Sequence, residues 1–511
     1  MARSMNQAHE IPRWPGDSVE NLTGVSESLL RTTEGPGGLD ISVTPTGLLS
    51  VVRQLSTAPG LAPVWLSDLG ATPKERGCLD GDLELVYCVR SLVVAGTARI
   101  RVEIASPKRT VSSVTHRWPS AEGLEKELSQ IHGVHFRPMG HRRRVAPVEF
   151  SSMWEQESSK RGDPAADGRW RLLEFRTYEQ IVPLLQGSRT AFNLQACYCR
   201  AVESLLGWSV PPRATWMRMM ACEWERMAGH ADVLAAWSLR IGASTAAASL
   251  LLARDEIDRL RNRHLACRFG GSLLRIGGLL EEPEHFRPSD IRDCLRWLPD
   301  LWNDAHDILR GSMAMEERLR GREILPGILA LEQGITGPLI RASGVALDLR
   351  AKEPYEFYGE LPLRVCTKTE GDAWDRILIR FDEISASMTL IEQCLERMEE
   401  GPVLAEEARR GRRPADSTLP ISREQLDAVL IRVRDGIGVP AGEAFAHTES
   451  LHGEVTVRVR SDGERTPLCV HVRSPLQRNR EGLARMGFPQ ASFDPDIRAE
   501  VFDLNRCGAD L

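Results

Sequence analysis

Long helical patterns fill the chain from residue 170 to about residue 400, and strand patterns lie on either side of them. That arrangement predicts an α+β chain with a mainly helical middle. Pro211-Pro212 opens one helix, because proline is at home in a first helical turn, and Gly242 closes it. Arg254–Leu265 and Arg376–Met398 carry further amphipathic helical spacing. Before this middle, Thr44–Leu55 and Glu122–Ile131 read as helices, and Leu83–Leu92 and Ala98–Ala105 as strands rich in β-branched residues. After it come a short helix and two alternating strands, Glu454–Arg460 and Leu468–Arg473, joined through the turn at Ser461-Asp-Gly463.

Composition shifts divide the chain. Residues 1–40, with Pro12, Pro15 and Pro36 and little periodicity, read as a flexible N-terminal arm. Residues 42–149 form an α+β domain, 150–169 a polar linker, and 170–403 the helical core. Residues 404–420 read as a charged linker, and 421–511 as a C-terminal helix and β-strand element.

Net charge is −6, from 65 basic and 71 acidic residues, which argues against a nucleic-acid partner. The 11 cysteines form no C-x-x-C pair, and Cys197 and Cys199 stand too close for the usual zinc or cluster spacing. They read as reduced, mostly buried thiols. The longest apolar stretch, around Ala246–Ala253, is far short of a membrane span, and residues 1–38 lack the apolar core of a signal peptide.

Certain words stand along the chain in a fixed order. The first group is Leu85-Val-Tyr-Cys-Val-Arg-Ser-Leu92, Val111-Ser-Ser-Val-Thr-His-Arg-Trp-Pro-Ser-Ala121 and Glu125-Lys-Glu-Leu-Ser-Gln-Ile-His-Gly-Val-His-Phe136. The second group runs from Leu172 to Pro475. It includes Ala201-Val-Glu-Ser-Leu-Leu-Gly207, Arg275-Ile-Gly-Gly278, Gly334-Ile-Thr-Gly-Pro-Leu-Ile-Arg-Ala-Ser-Gly-Val-Ala-Leu-Asp-Leu-Arg350, Glu370-Gly-Asp-Ala-Trp-Asp-Arg376 and Thr448-Glu-Ser-Leu-His-Gly-Glu454. The first group resembles the C subunit of the proton-pumping NADH:quinone oxidoreductase, respiratory complex I. The second resembles its D subunit, a relative of the large subunits of membrane-bound energy-converting hydrogenases. A fused C/D arrangement is a known form of this family. The resemblance implies a peripheral subunit on the cytoplasmic face of a membrane complex, with no membrane span of its own. Its neighbours would be a B-like iron–sulfur subunit and membrane-embedded ion-translocating subunits.

Glu223, Arg226 and His230 fall at i, i+3 and i+7 and therefore share one helix face. The resemblance places the matching His beside a [4Fe–4S] cluster carried by the B-like neighbour. An imidazole there can take a proton as an electron arrives. The same three residues also suit a helix–helix salt bridge with a packed histidine. Asp372, Asp375 and Arg376 gather at a helix start, where acids suit the helix dipole, and Asp375–Arg376 are expected to pair with Arg341 or Arg350, in a charged network that locks helices together. Gly436-x-Gly438-x-x-Ala441 has dinucleotide-fingerprint spacing, but no βαβ frame surrounds it and Pro440 interrupts the expected helix. Arg142-Arg143-Arg144 reads either as a solvated loop or as a clamp for an acidic partner surface.

Several words of the family do not occur. The Gly-Pro-Gln-His-Pro-x-x-His-Gly segment, whose His donates to the quinone headgroup, is missing. So are the His-Arg-Gly segment and the Tyr that is the second quinone donor; Ser188 or a neighbour stands near that Tyr position. Two-electron quinone reduction needs positioned proton donors, so the usual quinone site is not expected. A nickel–iron site needs two C-x-x-C pairs; Phe493–Arg498 has no cysteine and Cys507 stands alone, so no metal is expected on this chain. The expectation is a subunit that is not catalytic alone and is not a nickel–iron hydrogenase. The alternative is a purely structural coupling subunit of a non-redox ion- or solute-translocating complex. A third reading is an enzyme with a new substrate in the vacated cavity.

Overall fold

The structure, a computed structural model, describes residues 14, 29–35, 38–58, 60–61, 63–74, 81–138, 176–185, 190–265, 273–280, 282–283, 285–409 and 436–488. The chain divides into two compact units, residues 1–146 with 328–334, and residues 147–327 with 335–511.

The first unit is a five-stranded mixed sheet. Its strands are β1 (Leu29–Gly35), β2 (Gly38–Val43), β3 (Val64–Pro73), β4 (Leu83–Ser91) and β5 (Thr97–Ile104), in the spatial order β1-β2-β5-β4-β3. β2 and β5 run parallel and the other neighbours antiparallel. β5 shows why the sheet has one apolar face. Ala98, Ile100, Val102 and Ile104 are buried, while Arg101 between them donates to Asp40 at 2.8 Å and Glu84 at 3.3 Å. Helices α1 (Leu48–Thr57) and α2 (Ala121–His132) contribute Leu48, Val51, Val52, Leu55, Leu124 and Leu128 to the same core. A short parallel pair, β6 (Thr110–Ser112) with β7 (His135–Arg137), completes the unit.

Within the residues read as an arm, 1–40, those described are ordered: they contain β1 and the start of β2, and Trp14 is buried with its Nε1 2.8 Å from Gly96 O. β2 pairs with β5, a strand some 60 residues away in sequence, and β1 pairs with β2; the alternation of Leu39, Ile41 and Val43 with Asp40 and Ser42 was a local signal for β2 that the reading passed over. β3 escaped the reading for another reason. Nine of its ten residues are buried, so it shows no alternation.

The second unit is mainly helical. Its elements are α3 (Tyr178–Leu184), α4 (Ala191–Leu206), α5 (Pro212–Arg240), α6 (Ser244–His264), a small ladder of β8 (Leu274–Arg275) and β9 (Gly278–Leu279), α7 (Pro288–Arg310) and α8 (Met313–Leu319). They continue with the single turns α9 (Pro338–Arg341) and α10 (Leu349–Lys352), then α11 (Ala373–Arg397), the sheet β10 (Gly442–Ser450), β11 (Gly453–Ser461) and β12 (Cys469–Arg473), and α12 (Pro475–Arg485). α5 is 29 residues long, begins at the predicted proline and is followed by Gly242 with φ +84°. It packs against α4, α6 and α11. The antiparallel β10-β11-β12 sheet lays Val455, Val457, Val459, Val470 and Val472 on Cys197, Tyr198, Ala201 and Val202 of α4. β10 was not anticipated, because its inward residues include Ala444 and Ala446, too small to mark an alternating strand.

The Gly334–Arg350 run is pinned to the β10–β11 turn. Gly337 has φ +79°, and a Cβ there would lie 2.4 Å from His452 O. Asn479 clamps the same junction, accepting from Thr336 N at 2.9 Å and donating to Thr336 O at 3.2 Å and His452 O at 3.0 Å. Gly337→Ala is expected to cost about 1–3 kcal/mol through backbone strain and the clash with a rigid turn, read as a lower urea midpoint at unchanged slope.

Residues 150–169, Arg142–Arg144, Ser188, 421–435 and Phe493–Arg498 with Cys507 lie outside the described residues. Among the described residues no helix is long and apolar enough to cross a membrane.

Candidate functional site

A buried network of charges lies at the centre of the helical unit. α5 supplies Glu223, Arg226 and His230, all with no solvent exposure. Their i, i+3, i+7 spacing sets one face of α5 against α11, the turns α9 and α10, and the end of β10. The network joins them to residues far along the chain. Arg350 Nη1 lies 2.9 Å from both oxygens of Glu223, and its Nε and Nη2 hold Asp348 at 3.0 and 2.7 Å. Tyr358 donates its hydroxyl to Glu223 at 2.7 Å. Arg226 donates to Glu383 at 2.8 Å and to Ser450 O at 2.6 Å. Arg341 donates to the other oxygen of Glu383 at 2.9 Å, to Leu347 O at 2.8 Å and to Glu449 at 2.7 Å.

His230 closes the network. Its Nε2 sits 3.1 Å from Glu383 Oε2, off the direction of a full hydrogen bond. Its Nδ1 sits 3.1 Å from Arg380 Nη1. A guanidinium can only donate, so Nδ1 must accept, and the ring's proton is on Nε2. The imidazole is therefore neutral. Burial pushes its pKa down to about 3, against the pull of Glu383 and with the help of Arg380 and Arg226. Charge counting agrees: four arginines (Arg226, Arg341, Arg350, Arg380) face four carboxylates (Glu223, Asp348, Glu383, Glu449). A protonated His230 would unbalance them in a low-dielectric interior. Arg380→Met is expected to move the His230 pKa from about 3 up toward the ordinary histidine value, read by NMR of the ring protons.

The acids are held in different states. Burial alone would push each of them up. Arg350 and Arg226 overcome it at Glu223, which falls below the ordinary range. Arg350 draws Asp348 down to about 2. Arg341, His230 and Arg226 draw Glu383 well below the carboxylate range. Glu449 stays raised, because burial and the neighbouring Asp348 outweigh Arg341.

Asp372, Asp375 and Arg376 do not join this network in the way the sequence suggested. Asp372 caps α11, accepting from Asp375 N at 2.8 Å and Gly321 N at 2.7 Å. Asp375 accepts from Thr369 N at 3.2 Å and Glu370 N at 2.9 Å. Arg376 donates to Gly371 O at 2.8 Å and Glu323 O at 3.0 Å. Arg341 and Arg350 take other acids, because the acids on β10, α5 and mid-α11 are nearer than the helix start. So Glu223, Arg226, His230, Arg341 and Arg350 come together, while Asp372, Asp375 and Arg376 form a separate lock on the α11 entry.

Sequence reading missed Glu383, Glu449, Asp348 and Arg380. Asp348 and Glu449 sit inside words that were noticed for other residues. Glu383 and Arg380 carried a usable signal, as charged residues among the buried Ile379, Phe381 and Ile384 of α11. A second buried cluster was also missed. Arg218 donates to both oxygens of Glu203, at 3.0 and 2.6 Å, and Gly277 N donates to the same carboxylate at 2.6 Å. Glu225 accepts from Phe192 N at 2.8 Å and from Asn193 N at 3.0 Å and Nδ2 at 2.7 Å. Burial nevertheless pushes its carboxyl up to about 7.

Cys197 and Cys199 are buried, and burial pushes both thiols up to about 12, so they are neutral and poor ligands. Among the described residues no group of three or more His, Cys, Asp or Glu is placed to hold a metal ion. Gly436, with φ +71°, packs on Thr177 and leads into β10, with no helix following it as a dinucleotide fingerprint requires.

Comparison with known proteins matches residues 41–153 to the family described as "Respiratory-chain NADH dehydrogenase, 30 Kd subunit". Residues 240–491 match "Respiratory-chain NADH dehydrogenase, 49 Kd subunit". The chain is 32% identical over 360 residues to an NADH-quinone oxidoreductase D-type subunit of Rhizobium meliloti (strain 1021), covering 67% of this chain and 85% of that protein. It is 32% identical over 341 residues to the corresponding NADH-quinone oxidoreductase protein of Pelobacter propionicus, covering 66% and 83%. It is 32% identical over 310 residues to that of the Wolbachia of Brugia malayi, covering 60% and 79%.

Proposed function

Because this chain belongs to the respiratory complex I family, as a fused relative of its 30 and 49 Kd (C and D) subunits, we propose that it is a peripheral-arm scaffold of a complex I-like membrane-associated assembly. It docks a B-like iron–sulfur subunit and, through the assembly, membrane-embedded ion-translocating subunits. Its place is the cytoplasmic face of the membrane. A [4Fe–4S] cluster in the B-like neighbour would carry electrons one at a time.

The buried charge network on α5 is the observation that carries this reading. Arg226 and Arg350 are engaged with Glu383, Glu223 and Asp348. Glu223, Asp348 and Glu383 are held ionised, and His230 is held neutral. Such a network orients helices and sets a fixed field, and it has no proton to give at neutral pH from these groups. The family's quinone His and Tyr words do not occur in the sequence, which agrees with a scaffold that does not reduce quinone itself. The idea that His230 takes a proton as an electron arrives loses support, because a donor from Arg380 occupies the only free ring nitrogen.

Purification from the native membrane, with mass spectrometry and metal analysis, tests the proposal. The expected result is co-purification with a cluster-carrying neighbour and membrane subunits, with iron in the complex. Recovery of the chain without such neighbours overturns it. The missing quinone words also favour a second reading, a structural coupling subunit in a complex without redox chemistry. A neighbour that lacks cluster cysteines, in a complex without iron, selects that reading.

A further inference from the structure

Glu356 of the helical unit combines a sealed carboxyl oxygen with a left-handed backbone. It lies between α10 and the 3-10 turn Tyr358–Glu360, with a left-handed φ of +50°. A non-glycine residue in that region is strained and persists only where its surroundings enforce it. Both neighbours enforce it here. Tyr355 accepts from Glu449 N at 3.0 Å and lies under Arg200, whose guanidinium is 4.4 Å from the ring centre. Phe357 stacks on Trp216 with centroids 4.6 Å apart. The backbone is thereby held so that the Glu356 side chain is set among helices α4, α5 and α11.

Its Oε1 is sealed from solvent and meets no donor, while the residue as a whole keeps partial exposure. The groups facing the carboxyl are Cys199, Arg200 and Glu203 from α4, Arg218 and Cys222 from α5, and Cys394 from α11. The two cations are already committed: Arg200 to His447 O at 2.6 Å and to the Tyr355 ring, Arg218 to both oxygens of Glu203. A carboxylate at this position gains field from both arginines but a hydrogen bond from neither. Burying a charge without a bonded partner is costly, whereas a neutral acid keeps its own proton.

We propose that Glu356 is a proton-exchange site of the helical core, taking up and releasing a proton by exchange with the solvent that reaches this partly exposed residue. On release the carboxyl O–H bond breaks, the proton passes to water, and the carboxylate remains in the field of Arg200 and Arg218. Uptake is the reverse, and no electron moves. Burial raises the carboxyl above its ordinary value, Arg200 and Arg218 oppose that rise, and Glu203 adds to it. The site goes beyond the family reading and does not depend on it, since the exchange belongs to this chain alone.

The test is infrared titration of the full chain against Glu356→Gln. The expected difference spectrum contains a protonated-carboxyl band that fades as pH rises, with a midpoint above the ordinary carboxylate range. Arg200→Met, which removes one stabilising charge, is expected to move that midpoint further up. Glu356→Gly tolerates the positive φ and serves if the glutamine variant does not fold; it is expected to lose the same band. A difference spectrum without that band, a midpoint at or below the ordinary range, or an Arg200→Met midpoint that stays put overturns the proposal.

Discussion

Glu383→Gln is expected to lower folding stability by about 3–5 kcal/mol, the magnitude seen when one member of a buried ion network is removed. Glu383 faces three nitrogen groups at once: Arg226 at 2.8 Å, Arg341 at 2.9 Å and His230 at 3.1 Å. Glutamine keeps one acceptor oxygen and turns an N–H₂ group toward a cation. Arg226 and Arg341 then stay buried at a net positive charge. The measurement is urea unfolding, with a lower midpoint and an unchanged slope. The double variant Glu383→Gln with Arg226→Met is expected to lose less than the two singles summed, because the second change removes one of the stranded charges. A loss near 1 kcal/mol or less for the single would show that the remaining carboxylates and backbone carbonyls satisfy the arginines without it.

Arg350→Met is expected to cost a similar amount, about 3–5 kcal/mol at neutral pH, with a pH dependence of opposite sign to the parent's. In the parent, Arg350 holds Asp348 down to about 2 and lowers Glu223. Both folded-state values lie below the unfolded ones of about 3.9 and 4.3. A depressed acid contributes stability that is present above its unfolded value and is lost as pH falls through the folded value. The parent should therefore lose stability on acidification from about pH 4 toward pH 2. In Arg350→Met the two carboxyls lose their nearest cation and keep only the weaker pull of Arg226 and Arg341, so burial, the largest influence on both, is expected to raise them above the unfolded values. Stability should then fall as pH rises past about 4, because the unfolded chain ionises first. Unfolding free energies measured across that range distinguish the two slopes. Parallel slopes in parent and variant would show that Arg350 is not what holds the two acids ionised.

Local rules carried the reading of the sequence a long way and then stopped at identifiable residues. Pro211-Pro212 and Gly242 marked the limits of α5 because capping preferences are decided within a few residues. The face bearing Glu223, Arg226 and His230 followed from helical periodicity alone. β3 escaped notice because it is buried on both faces and shows no alternation, whereas β2 alternates Leu39, Ile41 and Val43 with Asp40 and Ser42 and was passed over inside a Pro- and Gly-rich stretch, together with its hairpin partner β1. Asp375 and Arg376 were matched with Arg341 and Arg350 by charge, but the lock they form with Thr369, Glu370, Gly371 and Glu323 is made largely with backbone, which composition does not reveal.

The amino-acid sequence by itself determined the family, the C-then-D order of its two parts, the α+β class and the helix face on which the central charges sit. These depend on short-range periodicity and on words whose order the chain preserves. Only the tertiary structure decided which charges meet, that Glu223 pairs with Arg350 and Arg226 with Glu383, and that His230 is neutral. The physical reason is that the charge state of a buried group is set by desolvation and by its nearest partners. For His230 those partners come from α11, 150 residues further along the chain.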